Sequence, residues 1–192
     1  MADTAAAKSI VNVTGIHHIS IPCNDLQRAI RFYTEVLGMR FVRIVQGDTA
    51  PHFLGTNLPA GLQWDNAAAE REYREYLATY EQPRPGRTPG TTIAQLRAGE
   101  DEVDLFLRPE PVERDTLAEN GVFHQSFHIS PADMARLAEL KERGDTTIRF
   151  HNGPTLRWPH GKALYLWDSE GNYIELESDE DLPAQFGRSA SH

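Results

Sequence analysis

The sequence predicts an α+β fold built on an internal repeat, and three observations lead there. Two segments share one plan, a short strand, an amphipathic helix and then several strands. A histidine opens each copy, His18 in the first and His124 in the second, 106 positions apart. The length of 192 residues suits one substantial domain, or two small modules sharing a core.

The first copy starts at Gly15. Ile16 to Pro22 alternates and carries β-branched residues, which predicts a strand. Asn24 or Asp25 then caps a helix whose apolar face is Leu26, Ala29, Ile30, Tyr33, Val36 and Leu37. Gly38 closes that helix, and Phe41 to Val45 returns as a strand. The second copy opens with Val122 to Ile129, followed by a helix starting at Pro131 or Asp133. Its stripe is Met134, Leu137, Ala138 and Leu140, and Gly144 ends it. Thr147 to Phe150 and Ala163 to Trp167 are strands, Asp168 to Asn172 a turn, and Tyr173 to Ser178 the closing strand.

The second copy takes about 55 residues, so the longer first copy holds an insertion. Within it, Leu62 to Tyr80 predicts a charged helix with Trp64, Tyr73, Tyr76, Leu77 and Tyr80 available for packing. Pro83 to Pro89 has the composition of a loop or lid. The expected division is a first module over 12–110 with its insertion at about 56–91, a second over 120–178, and a mobile tail over 179–192.

Composition excludes several function classes. Nineteen basic residues face 28 acidic ones, a net charge of -9, which argues against a nucleic-acid surface. No run approaches the roughly 18 apolar residues of a membrane span, and Met1 to Lys8 lacks the apolar stretch of a secretory signal. The expectation is a soluble, cytoplasmic protein. With Cys23 as the single cysteine, neither an internal disulfide nor a thiolate cluster can form, so any metal must be held by His and carboxylate.

Strand alternation sorts these donors by face. His18 and Ser20 oppose Ile19 and Ile21; His124, Ser126 and His128 oppose Gln125, Phe127 and Ile129; Tyr173, Glu175 and Glu177 oppose Ile174 and Leu176. This leaves His18, His124 and Glu175 free for a concave face, where two imidazoles and one carboxylate suit a divalent metal with open positions. A histidine on a half-buried strand is more often a hydrogen-bonded core or surface residue, and a glutamate in a terminal strand is usually solvated. The equivalent placement of the two histidines weighs against those readings. Spacing alone leaves the alternatives evenly balanced.

The stretch His18 to Met39, H-x-x-x-x-x-x-D-L-x-x-A-I-x-F-Y-x-x-V-L-G-M, resembles the opening module of the vicinal oxygen chelate superfamily. That group includes glyoxalases, bleomycin-binding proteins, fosfomycin-resistance transferases and extradiol dioxygenases. Leu164 to Leu176, LYLWDSEGNYIEL, resembles its closing signature, and His124 to Leu137 the start of its second module. The resemblance implies two βαβββ modules forming a shared cup-shaped mixed sheet around a metal, with ligands at His18, His124 and Glu175. Ser169 departs from the proline usual there, which bears on turn rigidity more than on ligation. His17 falls on the opposite face by alternation and is read as a non-ligand. Glyoxalase-type members place a fourth, glutamate ligand in the last strand of the first module. The equivalent strand here, Glu102 to Leu107, offers Asp104, one methylene shorter.

Asn152 to Tyr165, NGPTLRWPHGKALY, resembles the segment before the closing signature of extradiol enzymes, with a shorter histidine-to-tyrosine interval. The resemblance therefore implies, first, an Fe(II)-dependent extradiol dioxygenase of aromatic catabolism, with Mn(II), Ni(II) or Zn(II) as alternative metals. Its partners would be a catechol-like diol, dioxygen and a second copy of the chain in a homodimer. Tyr165, ten residues before Glu175, would stand behind the metal, and His128 and His160 are candidates for proton transfer. Phe106, Trp158 and Trp167 would wall a flat substrate. The alternatives are a glyoxalase-type lyase, isomerase or thiol transferase on the same metal site, and a metal-free drug-binding protein.

Overall fold

The computed structural model describes residues 16–45, 58, 60–79, 92–108, 124–157 and 161–179. Within these, eight strands form two four-stranded sheets of identical plan, each with its own helix. In the first, β1 (His18–Cys23) lies parallel to β4 (Asp101–Leu107), and β3 (Ile93–Ala98) runs antiparallel between β4 and β2 (Arg40–Val45). In the second, β5 (Gln125–His128) lies parallel to β8 (Tyr173–Ser178), and β7 (Gly161–Trp167) runs antiparallel between β8 and β6 (Arg149–Arg157). Both sheets are mixed, and the strand order 1-4-3-2 recurs as 5-8-7-6. The repeat legible in the sequence is therefore a repeated βαβββ module.

Asp25 caps α1 (Leu26–Arg31) by accepting a bond from the Arg28 amide at 3.0 Å. The sequence predicts one regular helix from there to Gly38. Instead α1 widens into a π-helical turn over Phe32–Val36, closed by Leu37 N–H on the Phe32 carbonyl at 3.2 Å. The Thr34 hydroxyl donates to the Ile30 carbonyl at 2.8 Å, and the wider turn buries Phe32, Tyr33 and Thr34 together. Gly38, at φ 69°, takes the left-handed position that ends the segment. In the second module Ser130 is the cap of α3 (Pro131–Glu142), accepting from the Asp133 amide at 3.1 Å.

One core joins the modules. Ile21, Leu26, Ile30 and Tyr33 belong to the same buried cluster as Met134, Leu164, Ile174 and Leu176. Each sheet thus turns an apolar face toward the helices, as the alternation requires. A polar clamp reinforces that union at the turn after β7. Glu170 accepts the Asn24 and Asp25 amides at 2.7 and 3.0 Å and Arg28 Nε at 2.6 Å. Tyr33 donates to buried Asp168 at 2.7 Å, and Asn172 Nδ2 donates to the Pro22 carbonyl at 3.0 Å. Ser169 uses its hydroxyl here, donating to the Arg28 carbonyl at 3.4 Å.

In the insertion, α2 spans Ala67–Thr79. Trp64 fixes its start, bridging to Phe41 of β2 with the two rings 5.0 Å apart and nearly perpendicular. The expected packing of Tyr73, Tyr76, Leu77 and Tyr80, the Pro83 to Pro89 loop and the tail beyond Asp179 lie outside what is described. β6 runs on to Arg157, seven residues beyond the expected end at Phe150, by taking up two register shifts against β7. No helix among the described residues is long and apolar enough to cross a membrane.

Candidate metal centre

The second module assembles its half of the site at the middle of β8. Glu175, 7 % exposed, pairs with Tyr165 of β7 in the antiparallel register and with Ser126 of β5 in the parallel one. His124, just ahead of β5, brings Nε2 to 2.9 Å from Glu175 Oε2. The Tyr165 hydroxyl donates to the other carboxylate oxygen, Oε1. Metal bonds of ~2.1 Å at right angles place neighbouring donors about 3.0 Å apart, so the His124–Glu175 spacing fits two ligands of one divalent ion. His124 Nδ1 is buried without a hydrogen-bond partner among the described residues.

Aromatic rings surround this pair. Tyr165 and Tyr173 stack at 5.4 Å, and His124 meets each edge-on at 6.2 and 6.3 Å. Trp167 lies against Tyr173 at 5.0 Å beneath the Arg149 guanidinium, whereas Phe106 is in the other sheet, half-buried in β4. His151 Nδ1 is hydrogen-bonded to the Tyr173 hydroxyl at 2.6 Å. Sequence reasoning missed this pair because it ended β6 at Phe150 and so gave His151 no face.

The first module repeats the plan. Ser20 opposes Asp104 as Ser126 opposes Glu175, so Asp104 stands at the position equivalent to Glu175. It is 5 % exposed, and its Oδ1 has no hydrogen-bond partner among the described residues. Burial first and the nearby Glu102 second push its carboxyl above the ordinary value, against His18, a Gln95 hydrogen bond and His17. His18 opens β1, exposed, opposite Glu102. His17 precedes the strand, where alternation does not hold, and its Nδ1 lies 2.9 Å from that of His18. His17, His18 and Glu102 bring ligand atoms within 4.8 Å of one another, and no such group unites His18 with His124 and Glu175 among the described residues of one chain.

His128 does not join Glu175; it contacts the Glu177 carbonyl at 3.1 Å and Asp179 at 3.0 Å. His160 and Trp158 lie outside the described residues. A cleft of about 1260 Å³ crosses the two modules and is lined by His17, His18, Glu102, Trp64, His128 and Glu177, but not by His124 or Glu175.

The family model described as Glyoxalase/Bleomycin resistance protein/Dioxygenase superfamily matches residues 15–176. The chain belongs to this superfamily. Solved structures of similar fold include a glyoxalase/dioxygenase from Nostoc punctiforme, 21 % identical over 93 % of this chain and 100 % of that one, TM-score 0.53. The trypanothione-dependent glyoxalase I of Leishmania major is 16 % identical over 88 % of each chain, TM-score 0.51. A fosfomycin resistance protein FosX variant from Listeria monocytogenes, complexed with Mn(II) and a dihydroxypropylphosphonic acid, is 13 % identical over 86 % and 93 %, TM-score 0.50. No curated protein sequence matches the chain. That FosX variant holds Mn(II), and the spacing of the donors around Glu175 fits a divalent ion.

Proposed function

We propose that the chain is a metal-dependent enzyme in which His124 and Glu175 of one chain, with His18 of a second copy, hold a divalent cation that receives a small substrate through two neighbouring oxygens. The homodimer is part of this reading because one chain alone does not bring His18 to metal distance of the other two. The reaction best supported is redox-neutral, a lyase or isomerase step that moves a proton. The observation that carries it is Asp104: buried, with an unpartnered oxygen, and in the register position equivalent to Glu175. Each module then offers one imidazole and one carboxylate, a four-donor set for Ni(II), Zn(II) or Mn(II).

When bound, the cation supplies Lewis-acid polarisation of the chelated oxygens. The chain's own residues do the rest. Tyr165 holds Glu175 in one orientation through Oε1, leaving Oε2 facing His124. The Tyr173 hydroxyl, bonded to His151, can give or take a proton beside the His124 ring. The buried tyrosine pair excludes water from one side of the carboxylate.

A second reading, ring cleavage of a catechol by dioxygen with Fe(II), is favoured by Tyr165, which stands ten residues before Glu175 and bonds to it. The test is to load the protein with Ni(II), Zn(II) or Mn(II) and offer hemithioacetals and epoxides under argon. The Fe(II) form is offered catechols at an oxygen electrode. Metal-dependent turnover under argon supports the redox-neutral reading, and oxygen uptake with a catechol replaces it with the second. No turnover in either, with full metal content in Glu175→Gln made in a His17→Ala background, overturns both.

A further inference from the structure

We infer that His17, His18 and Glu102 form a distinct cation site in the first module, one that uses neither His124 nor Glu175. It goes beyond the proposed catalytic centre, shares His18 with it and needs none of its other ligands. Three observations converge. The two imidazoles point Nδ1 at Nδ1 across 2.9 Å, an arrangement that one shared proton or one shared cation must hold together. A tetrahedral ion with ~2.0–2.1 Å bonds separates its ligand nitrogens by about 3.3 Å, so a shift of a few tenths of an ångström admits it. Glu102 is held in place before any ion arrives, with Oε1 accepting from Gln95 at 3.1 Å and Oε2 lying 3.7 Å from Arg97.

The third observation is Asp104. Two residues along β4, it adds a buried carboxyl with an oxygen that has no hydrogen-bond partner among the described residues. The group opens onto the large cleft, so a solvated ion reaches it directly. Two imidazoles and a carboxylate select Zn(II), Co(II), Ni(II) or Cu(II) over Mg(II) or Ca(II). His18 is common to this group and to the proposed catalytic set and serves one ion at a time.

The test uses full-length, untagged chain carrying His124→Ala and Glu175→Gln, which removes the other half of the catalytic set. Titration with Co(II), followed by calorimetry and visible absorption, is expected to give one ion per chain. Adding His17→Ala or Glu102→Gln is expected to weaken binding at least tenfold and to change the Co(II) absorption, with circular dichroism confirming the fold. Binding that is absent in the parent variant, or unchanged by both additions, overturns the site. Neither result decides the catalytic reading, which is tested apart in a His17→Ala background, where metal retained by Glu175→Gln or His124→Ala counts against it.

Discussion

Tyr165→Phe probes the site through one atom. The lost hydroxyl donates to Oε1 of a carboxylate that is 7 % exposed, and Tyr165 itself is 6 % exposed, so water does not readily replace it. A hydrogen bond to a charged group contributes ~1.5–3 kcal/mol, and leaving the acceptor short of a donor in the interior costs a similar amount. Converted at 1.4 kcal/mol per decade, metal affinity at the His124–Glu175 pair falls roughly tenfold to 150-fold. Stability of the metal-free chain falls by about 1–3 kcal/mol, which for this size lowers Tm by about 3–10 °C. Calorimetric Co(II) titration in a His17→Ala background, which removes the first-module group, reads the affinity, and a thermal melt reads the stability. A Tyr165→Phe protein that binds Co(II) as tightly as its parent and melts at the same temperature would refute the argument that this hydroxyl orients Glu175.

Other perturbations test the clamp and the first module. Glu170→Ala removes an almost fully buried carboxylate that accepts three bonds across the modules, and urea denaturation is expected to show a loss of about 2–3 kcal/mol. Arg28→Ala, whose side chain is 55 % exposed, is expected to lose less than about 1 kcal/mol; equal losses would mean the ion pair, not the amide contacts, holds the turn. Asp104 has its folded-state pKa raised, so its contribution to stability is complete below the ordinary value of 3.8 and is lost as pH rises through the folded value. Asp104→Asn, metal-free, is therefore expected to gain stability relative to wild type between pH 4 and pH 7. A difference that does not change with pH contradicts the raised value.

The βαβββ repeat was legible because both copies carry it locally: helix starts at Asp25 and Pro131, helix-ending glycines at Gly38 and Gly144, and alternating strands around His18, His124 and Glu175. The π-helical turn was not, because periodicity counts apolar positions and is blind to one hydroxyl bonding back to a carbonyl. The reach of β6 was hidden by its register shifts, since bulges break the two-residue period that marks a strand. Of the site, the His124–Glu175 pair was readable from faces alone. His17 was assigned away from its neighbour because alternation was carried one residue beyond the strand. The separation of His18 from the other two donors depends on how the modules pack, which no local pattern encodes.

The central claim is that one metal centre draws on both modules, from two copies of the chain. It is tested by mixing His18→Ala and Glu175→Gln chains, both in the His17→Ala background, under conditions that exchange subunits, and counting bound metal by elemental analysis. Random exchange makes about half the dimers mixed, each with one complete centre of two, so about one quarter of the parental metal content is expected to return. Metal content no higher than the average of the separate variants would contradict a centre shared between chains.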